Sequence, residues 1–144
     1  MVTTILCDFA RVILFPKDTS YLGRLDQHAG TFSLNDELLV YFRSLKGKIS
    51  MNIFSSGKNY ETPEIKKQLD PIFDHMFNTG DLNVHKTDPV AYTIIAQKLN
   101  KKPEEMVFID DLAENVEAAK TAGLQGIVYV GNEKLFLELK NYFS

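Results

Sequence analysis

Short runs of apolar residues alternate along the chain with longer segments whose apolar residues recur at helical spacing. The short runs predict five strands: Thr4–Asp8, Ile49–Ser55, Met76–Asn78, Met106–Asp110 and Gly126–Val130. The longer segments predict amphipathic helices, one through Leu38, Leu39, Phe42 and Leu45 and another through Val90, Ile94, Ile95 and Leu99. A last helix is predicted from Asn132 to Tyr142, with Leu135 and Leu139 facing the core.

Several residues mark where these helices should begin and end. Thr62-Pro63 and Asp88-Pro89 are each typical of an N-cap followed by proline at the first helical position, and a further helix is expected to start near Asn35. Gly47 and Gly123 stand where a helix needs a left-handed residue at its C-terminal end.

The alternation of nearly continuous apolar strands with helices predicts a mainly parallel sheet with helices on both faces. This is a Rossmann-like, three-layer α/β/α sandwich. Such sheets bind ligands at the carboxyl ends of their strands, so the residues after each strand are the ones to examine. The long irregular stretch is residues 16–33, which is rich in turn-forming residues.

Composition narrows the class of protein. The 144 residues fit one domain, and 44% hydrophobic residues are ample for a core. No run reaches the ~18 apolar residues of a membrane helix, and the N-terminus lacks the basic start of a signal peptide. The single cysteine, Cys7, excludes an intramolecular disulfide and fits the cytoplasm. A net charge of −3 argues against nucleic-acid binding.

Polar residues follow four of the predicted strands. They are Asp8, the run Ser55-Ser56-Gly57, Lys86 and the pair Asp110-Asp111. Carboxylates form a hard oxygen site for Mg²⁺, whereas serine hydroxyls, turn amides and a lysine hold phosphate oxygens. An aspartate beside the metal can attack phosphorus and form an aspartyl-phosphate.

Each of these residues also has a purely structural interpretation. Asp8 alone could cap a turn, Ser-Ser-Gly is common in turns, and Lys86 could be a solvated loop residue. Asp111 could be the N-cap of the helix through residues 114–120. Two adjacent carboxylates after a buried strand are harder to explain, because like charges repel unless a cation lies between them. The ordered set of four favours function.

These motifs resemble those of the haloacid dehalogenase superfamily, whose members include Mg²⁺-dependent phosphohydrolases. The sequence ILCDFARVIL resembles the first motif and IFSSG the second. The third and fourth motifs are resembled by KTDPVAYTIIAQKLNKKPEEMVFIDDLAENVEAAKTAGLQGIVYV, residues 86–130. The resemblance covers nearly the whole chain and implies a single core domain over residues 1–144.

The resemblance also implies a role for each residue. Asp8 would be the nucleophile and a metal ligand, and Lys86 would stabilise the charge of Asp8 and of the phosphate. Ser55, with the amides of Ser56 and Gly57, would bind the phosphoryl group. Three further positions would complete the Mg²⁺ site, namely the carbonyl of Ala10 and the side chains of Asp110 and Asp111. Asn115 would orient the site, although it could equally be a surface asparagine.

The chain departs from the family pattern at Ala10, where phosphatases usually carry a second aspartate that acts as general acid and base. Losing this group is expected to slow catalysis roughly 10²–10⁴-fold. Three explanations stay open. The protein could be a slow phosphatase, a catalytically silent relative that binds a phosphorylated ligand or a protein partner, or a chain in which alanine was engineered.

Residues 16–33 are the only segment available for a cap, and they form a lid of loop size at most. Such a lid cannot by itself enclose a small metabolite. Because open sites in the family tend to serve macromolecules or to be closed by a neighbouring subunit, the resemblance implies a phosphorylated macromolecule as substrate, or a phosphorylated small molecule in a site closed by a second subunit of a homo-oligomer. The candidate specificity residues are Arg11, Tyr21, Arg24 and His28. No nucleic acid and no membrane is expected as a partner.

Overall fold

A computed structural model of the chain describes residues 1–16 and 32–143. The strands within these ranges are β1 (Thr4–Cys7), β2 (Leu14–Pro16), β3 (Phe32–Leu34), β4 (Ser50–Ser55), β5 (His75–Asn78), β6 (Met106–Asp110) and β7 (Gln125–Val128). The helices are α1 (Asp36–Ser44), α2 (Pro63–Leu69), α3 (Thr79–Leu82), α4 (Pro89–Leu99), α5 (Ala113–Thr121) and α6 (Asn132–Phe143). Among these helices, none combines the length and the apolar character needed to cross a membrane.

Five strands form the central sheet in the order β5-β4-β1-β6-β7, and every neighbouring pair is parallel. Strand β1 lies in the middle, where Cys7 is in register with Ile53 of β4 and with Ile109 of β6. The chain first builds outward from β1 to β4 and β5, then returns to add β6 on the other side. The strand order therefore reverses at β1, where ligands bind in this class of sheet.

Each face of the sheet is covered by its own set of helices. Residues of α1, α2 and α6 pack with Ile5 and Cys7 of β1 in one apolar cluster. Residues of α4 and α5 pack with Leu6 in a second cluster. Alternate residues of β1 thus enter opposite layers, as the period of two of a strand requires. The predicted three-layer α/β/α sandwich is confirmed, as are the approximate positions of the five strands.

A small antiparallel hairpin was not predicted. Strands β2 and β3 pair through Leu14 with Leu34 and Pro16 with Phe32, so the ends of the predicted 16–33 loop are strand residues. Runs of three residues are too short for an alternating pattern, which is why the sequence does not reveal them. The interior of this segment, residues 17–31, lies outside the described residues, so the cap-like insertion stays a prediction.

The predicted helix boundaries agree with the structure, apart from two details. The side chain of Asp88 accepts from the N–H of Val90 at 3.0 Å, but Thr62 forms no such bond at the start of α2. Val90 belongs to the apolar series whose spacing predicted α4, yet it is 47% exposed. Helix α4 instead buries Ala91, Tyr92, Ile95 and Ala96. Apolar residues surround most of this helix, so spacing alone did not define its buried face.

The close approach of α5 to β7 generates a prediction. A Cβ atom placed on Gly126 would lie 2.6 Å from Cγ1 of Val116, which is fully buried in α5. We expect Gly126→Ala to lower the free energy of unfolding by about 1–3 kcal/mol, because the helix must move away from the strand. Urea denaturation measures this change.

A double-mutant cycle provides the control for this prediction. Val116→Ala removes the atom that the new methyl group would strike, so the double variant should be more stable than the sum of the two single losses implies. Strictly additive losses would contradict the steric explanation.

Candidate active site

Two carboxylates meet where the strand order reverses. Asp110 is the last residue of β6, and Asp8 directly follows β1. The parallel ladder continues into Asp8, whose N–H donates to the carbonyl of Ile109 at 2.8 Å. Because neighbouring parallel strands end at the same edge of the sheet, both acids point into one region although 102 positions separate them (110 − 8).

The side chain of Lys86 lies between these two acids. Its Nζ donates to Oδ1 of Asp8 at 2.5 Å and lies 3.4 Å from Oδ2 of Asp110. Lys86 is 8% exposed and Asp8 is 7% exposed, so the charges are paired with little help from water. A buried charge of this kind is tolerated only with such partners.

Two further donors fix the carboxylate of Asp110. Its Oδ2 accepts from Nδ2 of Asn115 at 3.0 Å, and its Oδ1 accepts from the N–H of Leu112 at 2.9 Å. Asn115 is buried on the first turns of α5, so the alternative interpretation of a plain surface asparagine is wrong. The start of α5 therefore orients Asp110 through both a side chain and a main-chain amide.

Asp111 brings a third carboxylate to the site. One oxygen each from Asp8, Asp110 and Asp111 lie within 4.8 Å of one another. The alternative interpretation of Asp111 as the N-cap of α5 is wrong, because the cap position belongs to Leu112. Asp111 is thus left without a capping bond to explain its place beside two other acids.

Asp8 and Asp111 have raised pKa values, and burial is the first cause for each. Burial raises the pKa of Asp8 to about 7, with a further upward contribution from the charge of Asp110 and an opposing one from Lys86. The pKa of Asp111 is also raised, first by burial and then by Asp110. Lys86 pairs with Asp8 and Asp110, and Asp111 adds a third acid beside them, so this cluster favours an additional cation.

An aromatic shell that sequence reasoning missed surrounds Lys86. Its Nζ lies 5.3 Å from the ring centre of Phe54 and 5.9 Å from that of Phe108, within the range of cation–π attraction. The hydroxyl of Tyr92 donates to the carbonyl of Lys86 at 2.6 Å. The available signal was the position of Tyr92 on the first turn of α4, six residues after Lys86.

These residues surround a cavity of about 280 Å³. Its lining comprises Asp8, Ala10, Arg11, Ser56, Lys86, Asp111, Leu112 and Asn115. The buried side chains of Asp8, Lys86 and Asn115 form what we call the floor. The exposed residues Ala10, Arg11, Ser56 and Leu112 form the rim.

Of the remaining predicted residues, Ser55 and Gly57 belong to a turn beside the cavity, and three others are not described by the structure. Ser55 is buried at the end of β4, and its hydroxyl accepts from the N–H of Gly57 at 3.1 Å, which closes the Ser55–Gly57 turn beside the rim residue Ser56. Tyr21, Arg24 and His28 lie outside the described residues, and their roles stay predictions.

Comparison with known proteins identifies the family. Residues 15–123 match the haloacid dehalogenase-like hydrolase family, which is more than half of the chain. The chain belongs to the haloacid dehalogenase-like hydrolases. The resemblance inferred from the sequence motifs is thereby confirmed, although the match begins after Asp8.

Two curated relatives of this hydrolase are named as phosphatases. The phosphorylated carbohydrates phosphatase of Thermotoga maritima is 33% identical over 108 residues, covering 71% of this chain and 49% of that protein. Enolase-phosphatase E1 of Methylococcus capsulatus is 32% identical over 87 residues, covering 57% of this chain and 37% of that protein. The chain spans about half the length, or less, of these relatives.

The fold of this hydrolase also matches solved structures. A haloacid dehalogenase family enzyme of Bacteroides thetaiotaomicron, crystallised in complex with magnesium and inorganic phosphate, superposes with a TM-score of 0.70. The match covers 94% of this chain and 100% of that one at 11% sequence identity. The likeness therefore lies in the fold.

The raised pKa of Asp8 leads to a prediction about stability. With EDTA at pH 8, folding forces this buried carboxyl to carry its charge, so Asp8→Asn should raise the free energy of unfolding. A gain of at least about 1 kcal/mol is expected, since one pKa unit corresponds to ~1.4 kcal/mol. As the pH falls from 7 towards 4, the folded protein protonates Asp8 while the unfolded chain stays charged, so the gain should shrink.

Urea denaturation at pH 8 and pH 5 measures both differences. Glu104→Gln removes an exposed acid outside the cavity and is the matched control, with an expected change below about 0.5 kcal/mol at either pH. A loss of stability for Asp8→Asn at pH 8 would show that the pair with Lys86 outweighs the burial of the charge.

Proposed function

We propose that this chain hydrolyses phosphomonoesters through an aspartyl-phosphate on Asp8, with Mg²⁺ as its cofactor. The observation that carries the proposal is the buried Asp8 carboxylate, paired with Lys86 and facing a cavity beside two further acids. The family, and the phosphatase names of the two relatives, support the same chemistry. We further propose a phosphorylated small molecule as substrate, because the relative from Thermotoga maritima is named as a phosphatase of phosphorylated carbohydrates.

The residues of the site fit a magnesium ion. Mg²⁺ prefers oxygen ligands and binds through one or two carboxylates plus substrate phosphate and water. The cluster of Asp8, Asp110 and Asp111 offers such oxygens, and the main-chain carbonyl of the rim residue Ala10 is proposed as a further ligand. When bound, Mg²⁺ would supply positive charge that draws the substrate phosphate towards Asp8 and offsets the repulsion among the acids.

In the first step, an Oδ atom of Asp8 attacks phosphorus and the bond from phosphorus to the leaving-group oxygen breaks. Lys86 holds the attacking carboxylate in place and offers positive charge to the phosphoryl oxygens. Ser55, with the amides of Ser56 and Gly57, is proposed to bind the same oxygens. Water then attacks phosphorus, which breaks the bond to Asp8 and releases phosphate with the carboxylate restored.

Both steps need a proton transfer that Ala10 cannot perform. The departing oxygen gains a proton in the first step, and the attacking water loses one in the second. The rim carries the methyl group of Ala10, which has no proton to give or accept, so solvent water has to supply the first proton and take up the second. We therefore propose a slow enzyme that favours substrates with good leaving groups.

A silent phosphate-binding protein is the second candidate. The observation that favours it is Ala10 itself, because the floor of the cavity would still bind phosphate although the proton-transfer group is missing. A phosphorylated macromolecule or a protein partner would then be the ligand.

The first test incubates the protein with p-nitrophenyl phosphate and Mg²⁺. We expect slow release of p-nitrophenolate that EDTA abolishes, and loss of at least about 10³-fold in kcat for Asp8→Asn, because the nucleophile is removed. Asp70→Asn, which changes an exposed acid on the far end of α2, is the matched control and should keep the rate. An inactive wild-type protein that still gains thermal stability with Mg²⁺ would favour the silent relative.

A second test restores the missing acid. Ala10→Asp is expected to raise kcat by roughly 10²–10⁴-fold with alkyl phosphates, and less with p-nitrophenyl phosphate, because a good leaving group needs little protonation. Ala10→Asn has the same shape without the acid and should stay slow. An equal effect of both substitutions would contradict the proton-transfer explanation.

A further inference from the structure

Arg11 adopts a backbone conformation that arginine rarely takes. Its φ is 65°, in the left-handed region, where the Cβ atom of an ordinary residue lies too close to the following carbonyl oxygen. Among the described residues, the other non-glycine residues with positive φ are Asn83 and Asn100, and asparagine tolerates this conformation. Glycine would suit position 11 better, so the strain points to a use for the side chain.

The turn that carries Arg11 is fixed by hydrogen bonds at both ends. The N–H of Arg11 donates to the carbonyl of Leu14 at 2.8 Å, and the N–H of Leu14 donates to the carbonyl of Phe9 at 2.9 Å. Ala10 and Leu14 also form an isolated bridge. This closed turn holds Arg11 at the rim of the cavity, three positions after Asp8.

The two cationic side chains of the cavity lie at different depths. Lys86 lies in the floor, paired with Asp8 and Asp110. Arg11 lies at the exposed rim and forms no salt bridge with another of the described residues. A phosphoryl group that reacts with Asp8 occupies the floor, so the rest of the substrate extends towards the rim.

We propose that the preferred substrates are small phosphomonoesters whose leaving group carries a second anionic group, a carboxylate or another phosphate, which Arg11 binds. This inference rests on the proposed hydrolysis at Asp8. The guanidinium is a rigid, permanently charged donor suited to two oxygens of one anion. Leu112, 49% exposed on the same rim, provides apolar contact for the carbon skeleton between the two anions.

The test compares two aryl phosphates of nearly the same shape. One is 4-carboxyphenyl phosphate, whose leaving group is an anion, and the other is 4-carbamoylphenyl phosphate, whose leaving group is neutral. The 3-substituted pair places the same groups at a second angle. We expect kcat/KM to be about fivefold or more higher for the carboxylate of at least one pair, and this preference to weaken as salt rises.

Substitution of Arg11 should remove that preference selectively. Arg11→Gln is expected to lower kcat/KM for the carboxylate substrates to the value of the amides, while the amide substrates change less than about twofold. Arg11→Lys should restore part of the preference, because it keeps the charge and loses the two-pronged geometry. Arg43→Gln removes an equal charge from an exposed position in the last turn of α1 and should leave the preference intact.

Arg11→Gly is a second variant, which tests the preference even if Arg11→Gln folds poorly. Glycine adopts φ of 65° without strain, so Tm is expected to rise by a few degrees while the preference disappears. A fall in Tm for Arg11→Gly would mean that Arg11 serves the packing of the turn, and would overturn the proposal.

The remaining outcomes distinguish a failure of anion binding by Arg11 from a failure of the proposed hydrolysis at Asp8. If all four substrates are hydrolysed without a preference, or if Arg11→Gln slows all of them equally, Arg11 does not bind a second anion and hydrolysis at Asp8 stands. If neither these substrates nor p-nitrophenyl phosphate is hydrolysed, the proposed function fails and this inference fails with it.

Discussion

The ammonium group of Lys86, held between Asp8 and Asp110 inside the protein, is the interaction on which the site depends. It joins three parts of the chain that are far apart in sequence: the end of β1, the loop before α4 and the end of β6. Lys86 keeps Asp110 as a partner when Asp8 is neutralised, whereas removing Lys86 would leave two buried acids without their cation, a loss that typically costs about 3–5 kcal/mol. The pairing therefore ties the position of the candidate nucleophile to the integrity of the sheet edge.

The ammonium group of Lys86 does not balance all the negative charge around it, and the chemistry of the site follows from this imbalance. Three acids face one ammonium group, and the aromatic rings of Phe54 and Phe108 exclude water from one side of it. The dielectric constant is low in such a setting, so the interaction energy between two charges is larger than it would be in water. Burial raises the pKa of Asp8 to about 7, which means that its charged form is poorly stabilised in the folded protein. A cation at the cavity floor would therefore be strongly attracted.

Sequence reasoning reached the fold and the charged residues because both leave periodic or local signals. Buried parallel strands are continuous apolar runs, and Asp8, Ser55 and Asp110 stand at the ends of three of them. Tyr92 and the rings around Lys86 gave no comparable signal, because buried aromatic residues are common and only tertiary contact distinguishes these. The left-handed conformation of Arg11 was also hidden, since nothing in an arginine predicts a positive φ. The short hairpin β2–β3 depends on pairing between distant residues.

The division between floor and rim suggests how this cavity can vary without loss of its fold. Asp8, Lys86 and Asp110 are set by strand ends and by one another, so a change in any of them disturbs packing as well as chemistry. Ala10 and Arg11 belong to a turn that is closed by main-chain hydrogen bonds, in which the side chains of these two residues take no part. Alanine at position 10 therefore keeps the main chain of the turn while it offers no carboxyl group to the cavity. Arginine at position 11 adds a positive charge to the rim, and its only unfavourable effect is the strain of a positive φ. The rate and the selectivity of such an enzyme can then change through two neighbouring positions, while the buried ion pair beneath them stays as it is.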